Sequence, residues 1–161
     1  MKKFLKEYLP YIIIIIAVVM IRTYIITPVR VTGSSMSKTL SNGDIMILYK
    51  QAHIDREDIV VIDKTVEGNN IIKRIIAMPG ETIKCDNGVI YINGKKYKDK
   101  YAYGLTSDFK ELKLKKDEYF VLGDNRIVSK DSRYFGPVKK QYIKGAASFV
   151  IFPFKKIGNV K

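Results

Sequence analysis

The run from Leu9 to Ile26 constrains this chain more than any other stretch. Its 18 residues are predominantly apolar and carry one charge, Arg22. As a helix rising ~1.5 Å per residue it spans about 27 Å, enough for the hydrocarbon core of a bilayer. The centre, from Ile12 to Ile21, has no polar face, which argues against a helix lying along a membrane surface. Arg22 stands near the far end, where its long stem can reach the headgroups. Lys2, Lys3 and Lys6 precede the run and predict a cytoplasmic N-terminus. The expected organisation is therefore a cytoplasmic segment at 1–8, a membrane anchor at 9–26 and an extracytoplasmic domain at 27–161. A cleaved leader is the competing reading, but Tyr24 to Val29 offers no small-residue cleavage site.

Beyond Pro28 remain 133 residues, enough for one ordinary domain with a real core. The net charge is +13, of which the first 28 residues hold +3 and the rest +10. A basic surface of this kind suits anionic partners, lipid headgroups or nucleic acid. The adjacent anchor favours lipid, and no nucleic-acid motif accompanies the charge. Cys85 and His53 are the only residues of their kinds, so an intrachain disulfide is excluded and no metal site or cofactor is expected.

The domain reads as short strands broken by turns. Ile45 to Tyr49, Ile59 to Ile62, Ile71 to Met78, Glu118 to Leu122 and Ser148 to Phe152 are apolar or β-branched runs with polar or Gly/Pro boundaries. Ile83 to Cys85 and Val89 to Ile92 form a hairpin around Asp86-Asn87-Gly88, and Asn93-Gly94 marks a second turn. Lys98 to Lys116 lacks a pattern and is expected to be a loop or insertion. The predicted fold is mostly β, a small barrel-like domain of short strands after a single N-terminal transmembrane helix.

Ser35 follows the apolar run by eight residues beyond Thr27, within ~28 Å of it for an extended chain. A serine hydroxyl needs a neighbour to remove its proton before it acts as a nucleophile. His53 lies in a polar connection, so a lysine is the next candidate base, and it must be desolvated to be neutral near pH 7. Lys73 stands between Ile71 and Ile75 on one face of its strand, which suits that role. The same pattern also fits an edge strand whose lysine points to water. The segment from Gly123 to Gly136 is dense in short polar residues. Ser129 could hold the lysine amine and Asp131 could pair with Arg133, or the stretch could be a plain surface loop.

Four segments in order resemble the boxes of type I signal peptidases, membrane-anchored Ser/Lys proteases that cut signal peptides from exported proteins. Ser35-Met36-Ser37-Lys38-Thr39-Leu40 resembles the serine box, with Lys38 where proline is usual. Arg56-Glu57-Asp58-Ile59-Val60-Val61 resembles a second box, with Glu57 in place of glycine. Ile72 to Glu81 resembles the lysine box, with Ala77 in place of glycine. Gly123 to Arg133 resembles the last, with Val128 in place of asparagine. The likeness runs from the anchor to Phe152.

This resemblance implies Ser35 as nucleophile, Lys73 as general base, Ser129 orienting the amine, and Asp131 with Arg133 as a supporting ion pair. It implies that the Ser35 N–H serves the oxyanion, and Met36 is expected to contact substrate. Of the two adjacent serines only Ser35 precedes methionine, and strand alternation would turn Ser34 the other way. The implied partners are secretory pre-protein signal peptides and membrane lipids, with no cofactor, metal or nucleic acid. A non-catalytic or specialised relative that binds export or pilin-like substrates is the alternative. A self-cleaving repressor-like protease shares the Ser/Lys pair, but it predicts a DNA-binding domain where this chain has an anchor.

Overall fold

A single helix, α1 (Lys2–Tyr24), carries the apolar run in the computed structural model, which describes residues 2–160. From Lys6 to Tyr24 it is long and apolar enough to cross a membrane, and the rest of the protein buries none of it. The helix ends two residues sooner than the apolar run, because Ile26 already belongs to a strand. Its terminal carbonyls, which lack helical partners, are satisfied from the domain. Lys50 Nζ donates to the Thr23 carbonyl at 2.7 Å and Thr27 Oγ1 to that of Arg22 at 3.0 Å. The ammonium also complements the negative end of the helix dipole.

Twelve strands follow: β1 (Ile26–Arg30), β2 (Ile45–Tyr49), β3 (Ile59–Ile62), β4 (Ile71–Ala77), β5 (Thr82–Asp86), β6 (Val89–Ile92), β7 (Lys95–Lys96), β8 (Phe109–Lys113), β9 (Glu118–Leu122), β10 (Val138–Lys139), β11 (Ile143–Phe152) and β12 (Gly158–Asn159). Two four-residue helices, α2 (Lys64–Glu67) and α3 (Ser132–Phe135), lie between them. The larger sheet runs β1-β2-β11-β3-β4-β9-β10, with β12 on β11, and curls into a half-barrel. The smaller runs β7-β6-β5-β8.

Ile76, Phe120 and Leu122 of the larger sheet pack against Ile83, Ile90 and Ile92 of the smaller, joining the two. Fully burying one such side chain contributes roughly 1.5–3 kcal/mol. Both expected turns of the smaller sheet form, with Asn87-Gly88 and Asn93-Gly94 at positive φ. The stretch from Lys98 to Lys116 is not all loop. It contains β8, which pairs with β5 and stacks Phe109 on Phe120 at 5.0 Å. Its sequence Phe-Lys-Glu-Leu-Lys hid the strand, because a register shift against β5 spaces the half-buried Phe109 and Leu112 by three residues instead of two.

In β11 the pairing with β3 shifts register between Ile143 and Gly145, where β11 also approaches the backbone of β2 closely. Gly145 has φ +148°, and a Cβ there would strike the Tyr49 carbonyl oxygen. Gly145→Ala is therefore expected to destabilise the detergent-solubilised chain by about 4 kcal/mol or more, read as a lowered thermal midpoint. Gly94→Ala, with φ +75° but open space around it, should cost only about 1–2 kcal/mol.

Candidate active site

Lys73 lies mid-strand in β4, opposite Val60 of β3, with β9 on the other flank of the strand. The 4% exposure of Lys73 excludes a side chain pointing to water, although this stretch of β4 has no partner on the β9 side. Alternation sends Lys73 and Arg74 to opposite faces. Ser35 begins a turn that is anchored from below by Met36 and Leu40, both in the core. Ser35 Oγ and Lys73 Nζ are 2.9 Å apart. His53 is remote from them, largely exposed and beside Asp55 at 3.5 Å.

Burial lowers the Lys73 amine from its ordinary 10.5 to about 8. Desolvation is the largest cause, opposed mainly by Asp131 and aided by Arg133. An amine of this kind is substantially neutral near pH 8 and can accept a proton from the hydroxyl beside it.

The turn is held by the segment from Gly123 to Arg133. The Asn125 N–H donates to the Ser35 carbonyl at 2.9 Å, and Asn125 Nδ2 donates to Ser37 Oγ at 2.8 Å. Thr39 Oγ1 donates to Asp124 at 2.5 Å. Asp124 in turn receives two bonds from Arg74, at 2.8 and 2.7 Å, and both side chains are fully buried. Arg74 Nη1 donates to the Glu57 carbonyl, and the guanidinium lies 3.6 Å from the centre of the Tyr101 ring. Asp131 takes two bonds from Arg133 at 2.8 and 2.9 Å and one from the Gly123 N–H at 3.0 Å. Arg133 also donates to the carbonyls of Arg126 and Ser129, so the expected ion pair forms and fixes the loop.

A groove of about 600 Å³ opens at Ser35 and Lys73, walled by Thr27 to Arg30 of β1 and by Asn69 to Ile72. β1 is the outermost strand of its sheet, and β9 pairs with β4 only from Arg74 onward. Two unpaired backbone edges, β1 and Ile71 to Lys73, therefore line the groove.

The sequence profile of "Signal peptidase, peptidase S26" matches residues 4–152. The chain belongs to the signal peptidase family. It is 37% identical to a signal peptidase I of Bacillus licheniformis, over 97% of this chain and 93% of that one. It is 32% identical to a signal peptidase I of Streptococcus pneumoniae serotype 4, over 98% and 97%. A crystal structure of a signal peptidase I from Enterococcus faecalis V583 superimposes with a TM-score of 0.53 at 33% identity, covering 59% of this chain and 97% of the other. As a signal peptidase the protein is a serine endopeptidase anchored in a membrane.

The geometry of this signal peptidase bears on three expectations. Ser34 and Ser35 lie in a bend and turn, not on a strand, so alternation does not distinguish them; only Ser35 reaches Lys73. Met36 is 2% exposed and packs with Val31, Leu40 and Met46, so it supports the turn from inside and forms no wall of the groove. Ser129 is buried beside Gly123, yet its hydroxyl has no hydrogen-bond partner and the Lys73 amine bonds Ser35 instead.

Two departures from the family boxes have backbone explanations. Glu57 has φ +72°, a conformation that suits the glycine usual there. Its carboxylate offsets the strain by accepting from Tyr97 at 3.0 Å and pairing with Lys100 at 2.8 Å. Lys38 has φ +81°, which a proline ring near −65° cannot adopt. Its ammonium sits 4.1 Å from the centre of the Tyr103 ring. The structure gives no account of Val128, which is exposed.

Arg74, Asp124 and Asn125 are the site residues that sequence reasoning missed. Adjacency of Arg74 to Lys73 was the available signal, since alternation sends it into the opposite face of the same central strand.

Lys73 also predicts a pH-dependent stability. Its folded pKa lies below the unfolded value, so the unfolded chain binds more protons between about pH 8 and 10.5. This group's penalty is thus full below pH 8 and fades as the pH rises to 10.5. Lys73→Met should be more stable than the parent at pH 7, by up to about 3 kcal/mol, with the gap closing by pH 10.5. Paired thermal melts across that range measure it.

Proposed function

We propose that this signal peptidase removes signal peptides from secretory pre-proteins with Ser35 as nucleophile and neutral Lys73 as the only general base. The 2.9 Å approach of a buried, unpaired amine to the serine hydroxyl supports this reading. The substrate lies in the groove as an extended strand, its backbone meeting the free edges of β1 and of Ile71 to Lys73. Ser35 attacks the scissile carbonyl as its proton passes to Lys73. The Ser35 N–H donates to no other group among the described residues and is positioned to serve the oxyanion. Lys73 then protonates the leaving amine, and the same lysine activates the water that releases the acyl group.

Once protonated, Lys73 needs further acceptors. The unpaired hydroxyl of Ser129, buried beside Gly123, is the group proposed to orient the amine at that stage. Asp131 and Arg133 hold the loop that presents it.

The organisation that fits this reading is a cytoplasmic N-terminus at 1–8, one membrane pass and an extracytoplasmic domain from residue 27. β1 follows α1 directly, so one wall of the groove starts at the membrane end of the domain. The basic domain rests against anionic lipid, and nucleic acid has no part in the activity.

Cleavage of a precursor bearing small residues at the first and third positions before the cut tests the dyad. Ser35→Ala and Lys73→Ala should each lose activity by 10³-fold or more, an order-of-magnitude expectation for a residue acting in a unit, while His53→Ala retains it. Activity should rise with pH through about 8, because only the neutral amine is a base. A dead His53→Ala enzyme beside an active Lys73→Ala enzyme would refute the proposal.

A further inference from the structure

Three carboxylates act on the Lys73 amine, and each is bound to a cation of its own. Asp131 is held by Arg133 and Asp124 by Arg74, both pairs closed inside the protein. The third, Glu67, is paired with Lys130 at 2.7 Å. Lys73 itself makes no ion pair among the described residues. A carboxylate left free near it would supply the counter-ion that its ammonium lacks and would hold it protonated.

The third pair is built differently from the other two. Asp63 caps α2 through the Thr65 N–H, and Gly68 ends the helix at φ +78°. This single turn brings Glu67 to the edge of the site. A second cavity of about 330 Å³, which shares Ser35, Lys73, Asn69 and Ile71 with the groove, is also lined by Glu67, Val128 and Lys130. Glu67 is 18% exposed at its side chain and Lys130 is 68% exposed. A pair so placed contributes little to stability, so substituting Lys130 leaves the fold intact. Arg30 faces the larger groove from β1 and is the remaining charged group lining these cavities.

We infer that Lys130 is a positioning residue for proton transfer: by holding the Glu67 carboxylate on its own ammonium, it denies Lys73 a counter-ion and keeps the base neutral. This rests on the Ser35–Lys73 reading above. Coulombic attraction from Glu67 is among the forces that raise the Lys73 pKa, as are those from Asp131 and Asp124, while Arg133 opposes them. Removing Lys130 leaves the Glu67 charge uncompensated at the rim without touching the two buried pairs. At the effective dielectric of a protein surface such a charge shifts a nearby pKa by about half to one unit.

The test is the pH dependence of kcat/KM for the full chain in detergent, with a peptide carrying small residues before the cut. Lys130→Met should move the rising limb to higher pH by about half a unit or more. Glu67→Gln should leave the limb in place or move it lower, and the Lys130→Met/Glu67→Gln double variant should return to the parent position. A Lys130→Met limb that stays in place, or a double variant that keeps the upward shift, would overturn the role of Lys130. Lys73→Ala run beside them separates the two readings. An active Lys73→Ala enzyme defeats the dyad itself, whereas an inactive one with an unmoved Lys130→Met limb defeats only this inference.

Discussion

An amine kept out of water beside a hydroxyl is the constraint on which the rest of this structure depends. In solution a lysine is protonated at neutral pH and useless as a base. Here desolvation is the largest force on Lys73, large enough to outweigh the attraction of nearby carboxylates. Two features make that possible. β3 pairs with β4 at Lys73 and the serine turn covers its amine, so the side chain is only 4% exposed although that stretch lacks a β9 partner. The acids around it are each engaged by a separate cation, and the buried pairs also hold the nucleophile. Asp124 ties Arg74 of β4 to Thr39 of the serine turn, so the strand bearing the base and the turn bearing the nucleophile share one buried carboxylate. Removing one partner of such a pair leaves an uncompensated buried charge, at a cost of roughly 3–5 kcal/mol. Fold stability and the spacing of Ser35 from Lys73 are therefore coupled.

Two of the departures from the family boxes, Glu57 and Lys38, sit where the backbone takes a positive φ. Glu57 adopts a glycine-like conformation and recovers the strain by bonding Tyr97 and Lys100, which ties the segment after β7 to the larger sheet. Lys38 follows a turn closed to proline and rests its charge on Tyr103. The backbone of Tyr103 accepts from the Arg126 N–H and donates to the Asp124 carbonyl. The same loop supplies the Asn125 N–H to Ser35, so this strap steadies the nucleophile where the usual proline is absent.

Much of this was legible in the sequence because period and turn chemistry are local. Ile45 to Tyr49, Ile59 to Ile62 and Glu118 to Leu122 form strands with the expected bounds, and the Asn-Gly turns fold as their composition demands. The barrel-like β fold behind an apolar helix followed from those signals. β8 was not legible, because a register shift in its pairing with β5 puts its half-buried Phe109 and Leu112 three residues apart and breaks the alternation. The approach of Lys73 to Ser35 was anticipated from residue type and box order, but its burial depends on strand order, which no local pattern encodes. Ser34 and Met36 show the limit from the other direction. A strand rule applied to a turn gives no information about facing, and a methionine beside a nucleophile can belong to the core.

The central claim concerns the protonation of one amine, so direct titration of Lys73 tests it most plainly. Lysine labelled with ¹³C at Cε, assigned by comparison with Lys73→Met, reports that titration by NMR in Ser35→Ala protein, which cannot turn over. The account predicts a midpoint near 8, well below the ordinary 10.5 of a lysine amine. A midpoint at the ordinary value of about 10.4 would contradict it.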